Sequence, residues 1–258
     1  MNSPIWVMIV RYLDLVETSN EFTRPNPNID RLVNFLNSVP GTDKVLMFIQ
    51  YFSKILIWFS NRTGKESLAQ RIVNLSNPVS DFRIFLRFYG LLPLIQWMIH
   101  IEHHPPKSSL LLHIERIQNF IMILYYPFEH IWWLAYHKVI SISDERMNKI
   151  GIWSCRFWAA YVILQFSHLA IEWKLYKIRS RDIIKKVDGD EDDIRKEKRV
   201  IKKTRERIIR DTFINIGYLP LTVHWSIENS TFPDIGVGIF GTLAAFYQLV
   251  GAWKSANE

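Results

Sequence analysis

Cysteine is almost absent from this sequence, since Cys155 is the only one among 258 residues. A chain with one cysteine cannot form an internal disulfide, and this composition is compatible with a reducing compartment. Cys155 lies in a largely apolar run, and the sequence shows no general base that would activate its thiol. We therefore interpret it as a packing residue rather than a nucleophile.

Motifs of catalysis and metal binding are missing as well. The sequence has no nucleophile elbow, no phosphate-binding loop and no zinc-ligand spacing. Residues 236–241, GVGIFG, fit the GxGxxG pattern, but no strand or βαβ unit precedes them, which excludes a dinucleotide site. His100 and His104 are spaced like metal ligands, yet the segment is not HExxH, and we interpret it as the polar end of a helix. We predict a protein that is not an enzyme and that has no cofactor and no metal site.

Long apolar runs without charge are scarce, and the clearest one is residues 235–253. As a helix this stretch would be roughly 28 Å long, about the thickness of the hydrocarbon core of a bilayer. Its small residues, Gly238, Gly241 and Ala245, would let another helix approach closely, and the last two share one face. We predict a C-terminal transmembrane anchor that also mediates self-association. A buried helix of a soluble domain is the alternative.

Two further apolar regions are less clear. Residues 153–173 form a second candidate transmembrane helix, with Arg156 and His168 near its ends. Residues 91–101 are apolar but too short to span a bilayer alone. Residues 114–134 include Glu129 and His130, so we expect a helix that packs against other helices or lies in the membrane interface rather than a simple lipid-facing span.

The most regular pattern runs from residue 65 to residue 89. Apolar residues recur there at alternating steps of four and three, which is typical of one face of a helix; they are Leu68, Ile72, Leu75, Val79, Phe82, Leu86 and Tyr89. Arg71, Arg83 and Arg87 lie off this stripe, and Pro78 predicts either two helices or one kinked helix. The pattern fits a helix lying in an anionic headgroup layer and equally a helix facing the core of a bundle.

Positive charge exceeds negative charge, with 32 Lys and Arg against 25 Asp and Glu. Residues 195–210 carry most of the excess, and we interpret the block as a solvated helix or a disordered loop. No aromatic residue is interleaved with these charges, so we do not expect nucleic-acid binding. Anionic membrane lipids are the partner that we predict instead.

These patterns together predict an all-α, membrane-associated helical bundle. We divide the chain into a polar N-terminal segment, an amphipathic helical region, a candidate transmembrane helix, a charged loop or helix and a C-terminal region that holds the anchor. Their bounds are residues 1–27, 28–152, 153–173, 174–211 and 212–258.

Three stretches of the chain resemble the peroxin-eleven family of peroxisomal membrane proteins. They are residues 41–54, GTDKVLMFIQYFSK; residues 81–88, DFRIFLRF, with Ile84 where the family usually has Lys; and residues 238–248, GIFGTLAAFYQ, followed by Trp253 and Lys254. Their order and spacing extend over most of the sequence.

The resemblance implies a peroxisomal location and a role in elongating and dividing peroxisomes. It also implies membrane remodelling by amphipathic helices, self-association and recruitment of the organelle fission machinery. It assigns Arg83, Phe85, Leu86 and Arg87 to the amphipathic region, and Gly238 and Gly241 to the anchor. A peroxisomal channel for metabolites is the alternative function, which would need a polar pathway through several spans.

Overall fold

The computed structural model describes Met8, Arg11 and residues 26–185 and 191–256. All regular structure in these residues is helical, which confirms the predicted all-α class. The helices are α1 (Pro27–Leu36), α2 (Val39–Arg62), α3 (Glu66–Leu86), a 3-10 turn (Arg87–Gly90), α4 (Leu91–His103), α5 (Ser109–Tyr136), α6 (Asp144–Lys185), α7 (Glu191–Trp225) and α8 (Asp234–Ala256). The polar segment predicted for residues 1–27 lies almost entirely outside the described residues.

The junction between α1 and α2 is short. α2 begins at Val39, ahead of Pro40 and Gly41, and Ser38 is its N-cap. The Ser38 hydroxyl accepts a hydrogen bond from the Gly41 amide at 3.0 Å. Proline is well tolerated in the first turn, because the N–H that it lacks would have no helical partner there. The two helices are thus separated only by Asn37 and Ser38.

At Pro78 the sequence predicts either two helices or one kinked helix, and the structure has one helix. Pro78 lies inside a single α-helix, α3, so the chain does not divide there. The departure from α-helical geometry comes later, at the 3-10 turn, and helical structure then continues directly into α4. Residues 91–101, which we judged too short to span a bilayer alone, therefore belong to an unbroken helical segment, Glu66–His103.

The long helices form a chain of neighbours around a central space. α2 packs between α3 and α8, α8 packs on α7, α7 on α6, and α6 on α5. Side chains close the circle between α3 and α5, where Trp133 Nε1 donates a hydrogen bond to Asp81 Oδ1 at 2.8 Å. The space between them is a partly open cavity with a volume of about 1460 Å³.

The best-packed apolar core lies where α2, α7 and α8 meet. Its buried members are Met47, Tyr51, Leu221, Val237, Ala244 and Ala245. Many other large apolar side chains lie on the outside of the molecule, particularly along α3, α4 and α8. This core therefore lies on one side of the ring of helices. Much of the outer surface is apolar.

The charged block predicted for residues 174–211 is helical wherever the structure describes it. It forms the end of α6 and most of α7, while residues 186–190, which include part of the acidic run, lie outside the described residues. An ion pair between Arg179 and Glu197, at 3.5 Å, joins the two helices. Of the two forms that we predicted, a solvated helix or a loop, the described part takes the first.

Candidate membrane-binding surface and anchor

The apolar stripe of α3 lies on the outside of the molecule. Leu75 is 59% exposed and Phe82 is 48% exposed, and Leu68, Phe85 and Tyr89 are exposed to a similar degree. Positions 68, 75 and 82 are seven apart, so they follow one line along the surface of α3. A helix facing the core of a bundle would bury this line. The geometry therefore favours the membrane-surface alternative.

The neighbouring face of α3, about a quarter of a turn from this line, is small or polar and faces inward. Ala69, Ser76 and Arg83 are buried and also lie seven residues apart. Between the two lines, Ile72 and Leu86 are half-buried, and Arg71 is exposed. The helix thus exposes its apolar line together with polar residues such as Arg71 and Asn74, whereas a helix on the surface of a water-soluble bundle buries its apolar stripe.

Arg83 differs from the expectation that it would face lipid headgroups. Its side chain is buried, and Nε donates a hydrogen bond to Asp43 Oδ1 of α2 at 2.9 Å. Gln50 accepts a second hydrogen bond from Arg83, and Gln50 Nε2 donates to Ser80 Oγ at 2.6 Å. A buried guanidinium is tolerated only when it is paired and hydrogen-bonded, which α2 provides. Arg83 therefore holds α3 against α2.

The pairing is visible in the ionisation of Asp43. Burial alone would raise the pKa of this carboxyl, but the positive charges of Lys44 and Arg83 outweigh burial and lower the pKa below its ordinary value of 3.8. Asp43 is therefore ionised at neutral pH, as the contact with Arg83 requires.

Arg87 also points toward the protein rather than toward lipid. Its Nε donates to Glu129 Oε2 at 2.7 Å, and its Nη2 lies 2.7 Å from Glu129 Oε1. The hydroxyl of Tyr125 donates to Glu129 Oε1 at 2.6 Å. These contacts join the 3-10 turn to α5. They also confirm that Glu129 belongs to a helix packed against others, since its carboxylate is buried.

The predicted anchor is a single helix, α8, whose outward face is apolar and exposed at Ile239 and Phe246. Its small residues, Gly238, Gly241 and Ala245, are buried against the same chain. A Cβ atom on Gly241 would lie 2.2 Å from Cδ1 of Tyr51, and one on Gly238 would lie 2.9 Å from Cγ1 of Ile55. Close helix approach, as predicted, is the reason for these glycines, and in the described structure the approaching helix is α2.

Two segments in the described residues are long and apolar enough to cross a membrane. They are Glu66–His103, which comprises α3, the 3-10 turn and α4, and Asp234–Ala256, which is α8. The stretch 153–173, predicted as a second candidate span, forms part of the long helix α6 and is not one of these two.

Several residues of this region were not singled out from the sequence. Asp43, Gln50 and Tyr125 complete the sites of Arg83 and Arg87, although the first two lie within the family-like stretch 41–54. A carboxylate and an amide amid the apolar residues of α2 were the available signal, because a buried polar group needs a partner. Nothing local indicated which partner each would find.

The fold and the outward apolar faces define an all-α, membrane-associated protein with candidate transmembrane helices. A family model for Peroxisomal biogenesis factor 11 (PEX11) matches residues 29–253, and the chain belongs to this family. It is accordingly a peroxisomal membrane protein with a part in peroxisome proliferation, from a family of biogenesis factors rather than of known enzymes.

The chain is also similar to individual proteins of other organisms, two of which are named as peroxisomal membrane proteins. Peroxisomal membrane protein PMP30B of Candida boidinii is 24% identical over 88% of this chain and 93% of its own length. Human peroxisomal membrane protein 11C is 20% identical over 90% of this chain and 97% of its own length. An uncharacterized protein of Schizosaccharomyces pombe is 25% identical over 78% of this chain. No solved structure matches the chain.

Proposed function

We propose that this protein elongates the peroxisomal membrane by inserting the outward apolar face of α3 into one leaflet while α8 anchors the chain. The observation that carries the proposal is the exposed line of Leu68, Leu75 and Phe82. A helix that inserts shallowly expands the leaflet it enters relative to the other leaflet. The membrane then bends so that the leaflet containing α3 lies on the convex side.

The exposed side chains are sufficient to drive this insertion. Burying a large apolar side chain completely is worth roughly 1.5–3 kcal/mol, so five half-exposed ones contribute on the order of 5 kcal/mol. That is enough for reversible binding but not for permanent attachment. The anchor α8 raises the local concentration of α3 at the same membrane, which makes partial insertion effective.

The structure leaves few arginines of this region available to bind anionic lipid headgroups. Arg83 and Arg87 are held by Asp43 and Glu129, so their charges are not offered to headgroups. Arg71 is exposed beside the apolar line and is the arginine of α3 that we assign to anionic lipid. Apolar burial is therefore the main source of binding free energy, and charge is a smaller addition.

Self-association and recruitment of the organelle fission machinery belong to the proposal through family membership. Because Gly238, Gly241 and Ala245 already contact α2, a second copy would bind elsewhere on the outer surface. The apolar outer faces of α3 and α8 are available for such contact within the membrane.

The test is organelle shape in cells that produce variants of the full-length chain. Leu75→Glu and Phe82→Glu each place a charge on the exposed line, and both should reach peroxisomes through α8 but leave them round. Asn74→Glu is the matched control, since Asn74 is an exposed polar neighbour on the same helix, and it should elongate peroxisomes normally. Normal elongation by Leu75→Glu would show that the exposed line is not the remodelling surface.

A further inference from the structure

An apolar groove lies on the outer surface between α6 and α7, and membrane remodelling by α3 does not use it. Its volume is about 430 Å³, and all of its lining residues except Thr212 are apolar. Phe166, Leu169, Ala170 and Trp173 of α6 and Ile208, Ile209, Thr212 and Phe213 of α7 form this lining. Ile209 is 36% exposed and Phe213 is 37% exposed, so the groove is open to the surroundings of the protein. An apolar occupant would remove this surface from water.

The position of α8 gives the depth of this groove in a membrane. α7 runs antiparallel to α8, because the Phe213 ring stacks on the Tyr247 ring at 4.7 Å and Glu206 pairs with Lys254 at 3.1 Å. Lys254 is the first charged residue after the apolar stretch of α8, so it marks the level at which the headgroups begin. Ile209 and Phe213 therefore lie just inside the hydrocarbon layer, and the part of α7 before Glu206 extends past it.

Positive charge begins where the apolar lining ends. The Lys177 ammonium nitrogen lies 5.6 Å from the centroid of the Trp173 ring, which lines the groove. Arg205 precedes Ile209 by four residues, so it lies on the same side of α7 and one turn nearer the headgroups. Both cations are exposed, and neither has an acidic side chain at ion-pair distance among the described residues. Their charges are therefore available to an anion at the end of the groove.

Further exposed cations continue along the same side of both helices. On α7 a line with steps of three and four residues comprises Arg195, Lys198, Lys202, Arg205 and Ile209. On α6 the corresponding line comprises Ala170, Lys174, Lys177 and Arg181. Arg207 and Arg210, on other sides of α7, are by contrast paired with Glu172 at 2.6 Å and Asp211 at 3.3 Å. Like charges at these spacings repel one another, so an anionic partner would stabilise this side of the protein.

We propose that the groove binds one anionic phospholipid of the bilayer, with an acyl chain along Trp173 and Phe213 and the phosphate at Lys177 and Arg205. A lipid fits better than an acidic protein, because the apolar lining lies at the depth of the hydrocarbon layer, which a water-soluble partner does not enter. Basic residues above an apolar gap between helices are a common site for anionic headgroups. The inference rests on anchoring by α8 in the proposed function, and it is independent of insertion by α3.

Photocrosslinking of lipids to the full-length protein tests the site. The protein is reconstituted in phosphatidylcholine nanodiscs that contain a small fraction of phosphatidylserine or phosphatidylcholine with a diazirine in one acyl chain, and crosslinked residues are mapped by mass spectrometry. Crosslinks to Phe166, Trp173, Ile209 or Phe213 should be several-fold more abundant with the phosphatidylserine probe. Crosslinks to Ile239, on the outward face of α8, should be equal for the two probes. Equal yields of both probes in the groove would overturn the proposal.

Two double variants separate a defined site from general attraction to positive charge. Lys177→Gln with Arg205→Gln should reduce the yield of the phosphatidylserine probe in the groove to that of phosphatidylcholine. Lys198→Gln with Arg199→Gln is the matched control, because it removes the same charge from exposed residues of α7, and Lys198 lies roughly 10 Å beyond Arg205 along the helix. The control should keep most of the preference. Equal loss in both variants, with thermal stability unchanged, would show diffuse attraction and contradict the site.

The same assay distinguishes a lipid from a free anion and from a failure of the anchor. Inorganic phosphate in excess should not displace the phosphatidylserine crosslink, because it lacks an acyl chain. Displacement by phosphate would show that the cations bind a soluble anion and that the groove does not hold a lipid. Wild-type protein that is absent from the nanodiscs would contradict the anchor and therefore both proposals, whereas equal yields from protein that is present contradict only the lipid site.

Discussion

At the scale of single residues, Arg83 belongs to the helix that the sequence pattern predicts, but its side chain contacts the protein rather than lipid headgroups. The stripe analysis puts Arg83 beside the apolar face, where attraction to headgroups is the natural interpretation. In the structure it lies on the inward face with Ala69 and Ser76, and it contacts Asp43 and Gln50 of α2. The contact joins residues 40 apart in the chain, so no local pattern could indicate it.

The Arg83–Asp43 pair leads to a prediction about stability. Asp43→Asn leaves a buried guanidinium without its carboxylate and should destabilise the protein by about 3 kcal/mol at pH 7. The pKa of Asp43 is lowered on folding, so the wild-type contribution is present above the ordinary pKa of 3.8 and is lost as the pH falls through the lowered value. The difference between wild type and variant, measured by thermal unfolding in detergent, should therefore shrink only below about pH 4.

The control for that measurement is Asp30→Asn, because Asp30 is an exposed acidic residue in the first turn of α1. It should change stability by less than about 1 kcal/mol. If Asp43→Asn were no more harmful than Asp30→Asn, the buried pair would not hold α3 against α2.

Gly241 leads to a second residue-scale prediction. Because Tyr51 lies where a Cβ atom would be, Gly241→Leu should separate α8 from α2 and lower stability by about 1–3 kcal/mol or more. Ile239→Leu, on the outward face of the same helix, should have little effect. This face of α8 could contact α2 or a second copy of the chain. Thermal unfolding reports on the contact with α2, and crosslinking of tagged copies reports on the contact with a second copy. Unchanged stability with reduced crosslinking would mean that Gly241 contacts a second copy rather than α2.

At the scale of elements, the sequence predicts helices well where a pattern is long and poorly where one helix meets the next. α8 and the amphipathic character of α3 follow from uninterrupted hydrophobicity and regular spacing. The start of α2 and the 3-10 turn do not follow in this way. Pro40 lies in the first turn of α2, where proline is tolerated, and α3 continues through Pro78. The change of geometry comes at Arg87, which pairs with Glu129 far away in the chain.

The element-scale prediction concerns α8 as an anchor. Residues 230–258 fused to a soluble reporter should remain in the membrane pellet after alkaline carbonate extraction, because α8 is long and apolar enough to span the bilayer. Ile239→Lys together with Phe246→Lys should release the fusion, since both residues lie on the outward face. Extraction of the unmodified fusion into the supernatant would show that α8 is only a packed helix of the bundle.

At the scale of the whole molecule, part of the outer surface is apolar, and several buried side chains are polar or charged. The outer faces of α3, α4 and α8 carry exposed aromatic and aliphatic side chains, whereas Arg83, Glu129 and Asn119 are buried around the central cavity. The apolar composition predicts membrane association, and the resemblance predicts the family. The cavity and its paired charges depend on contacts between residues about 40 apart or more, such as Arg87 and Glu129, and neither spacing nor composition encodes those.

The most direct test of the account is the environment of the exposed line of α3 in a membrane. In a Cys155→Ser background, single cysteines at positions 75, 82 and 74 carry nitroxide labels in the protein reconstituted with anionic lipid. Electron paramagnetic resonance measures the accessibility of each label to oxygen, which concentrates in the bilayer, and to a water-soluble nickel complex. Labels at positions 75 and 82 should be accessible to oxygen and shielded from nickel, and the label at position 74 should be more accessible to nickel. If nickel reaches positions 75 and 82 as readily as position 74, the apolar face of α3 does not lie in the membrane and cannot be what bends it.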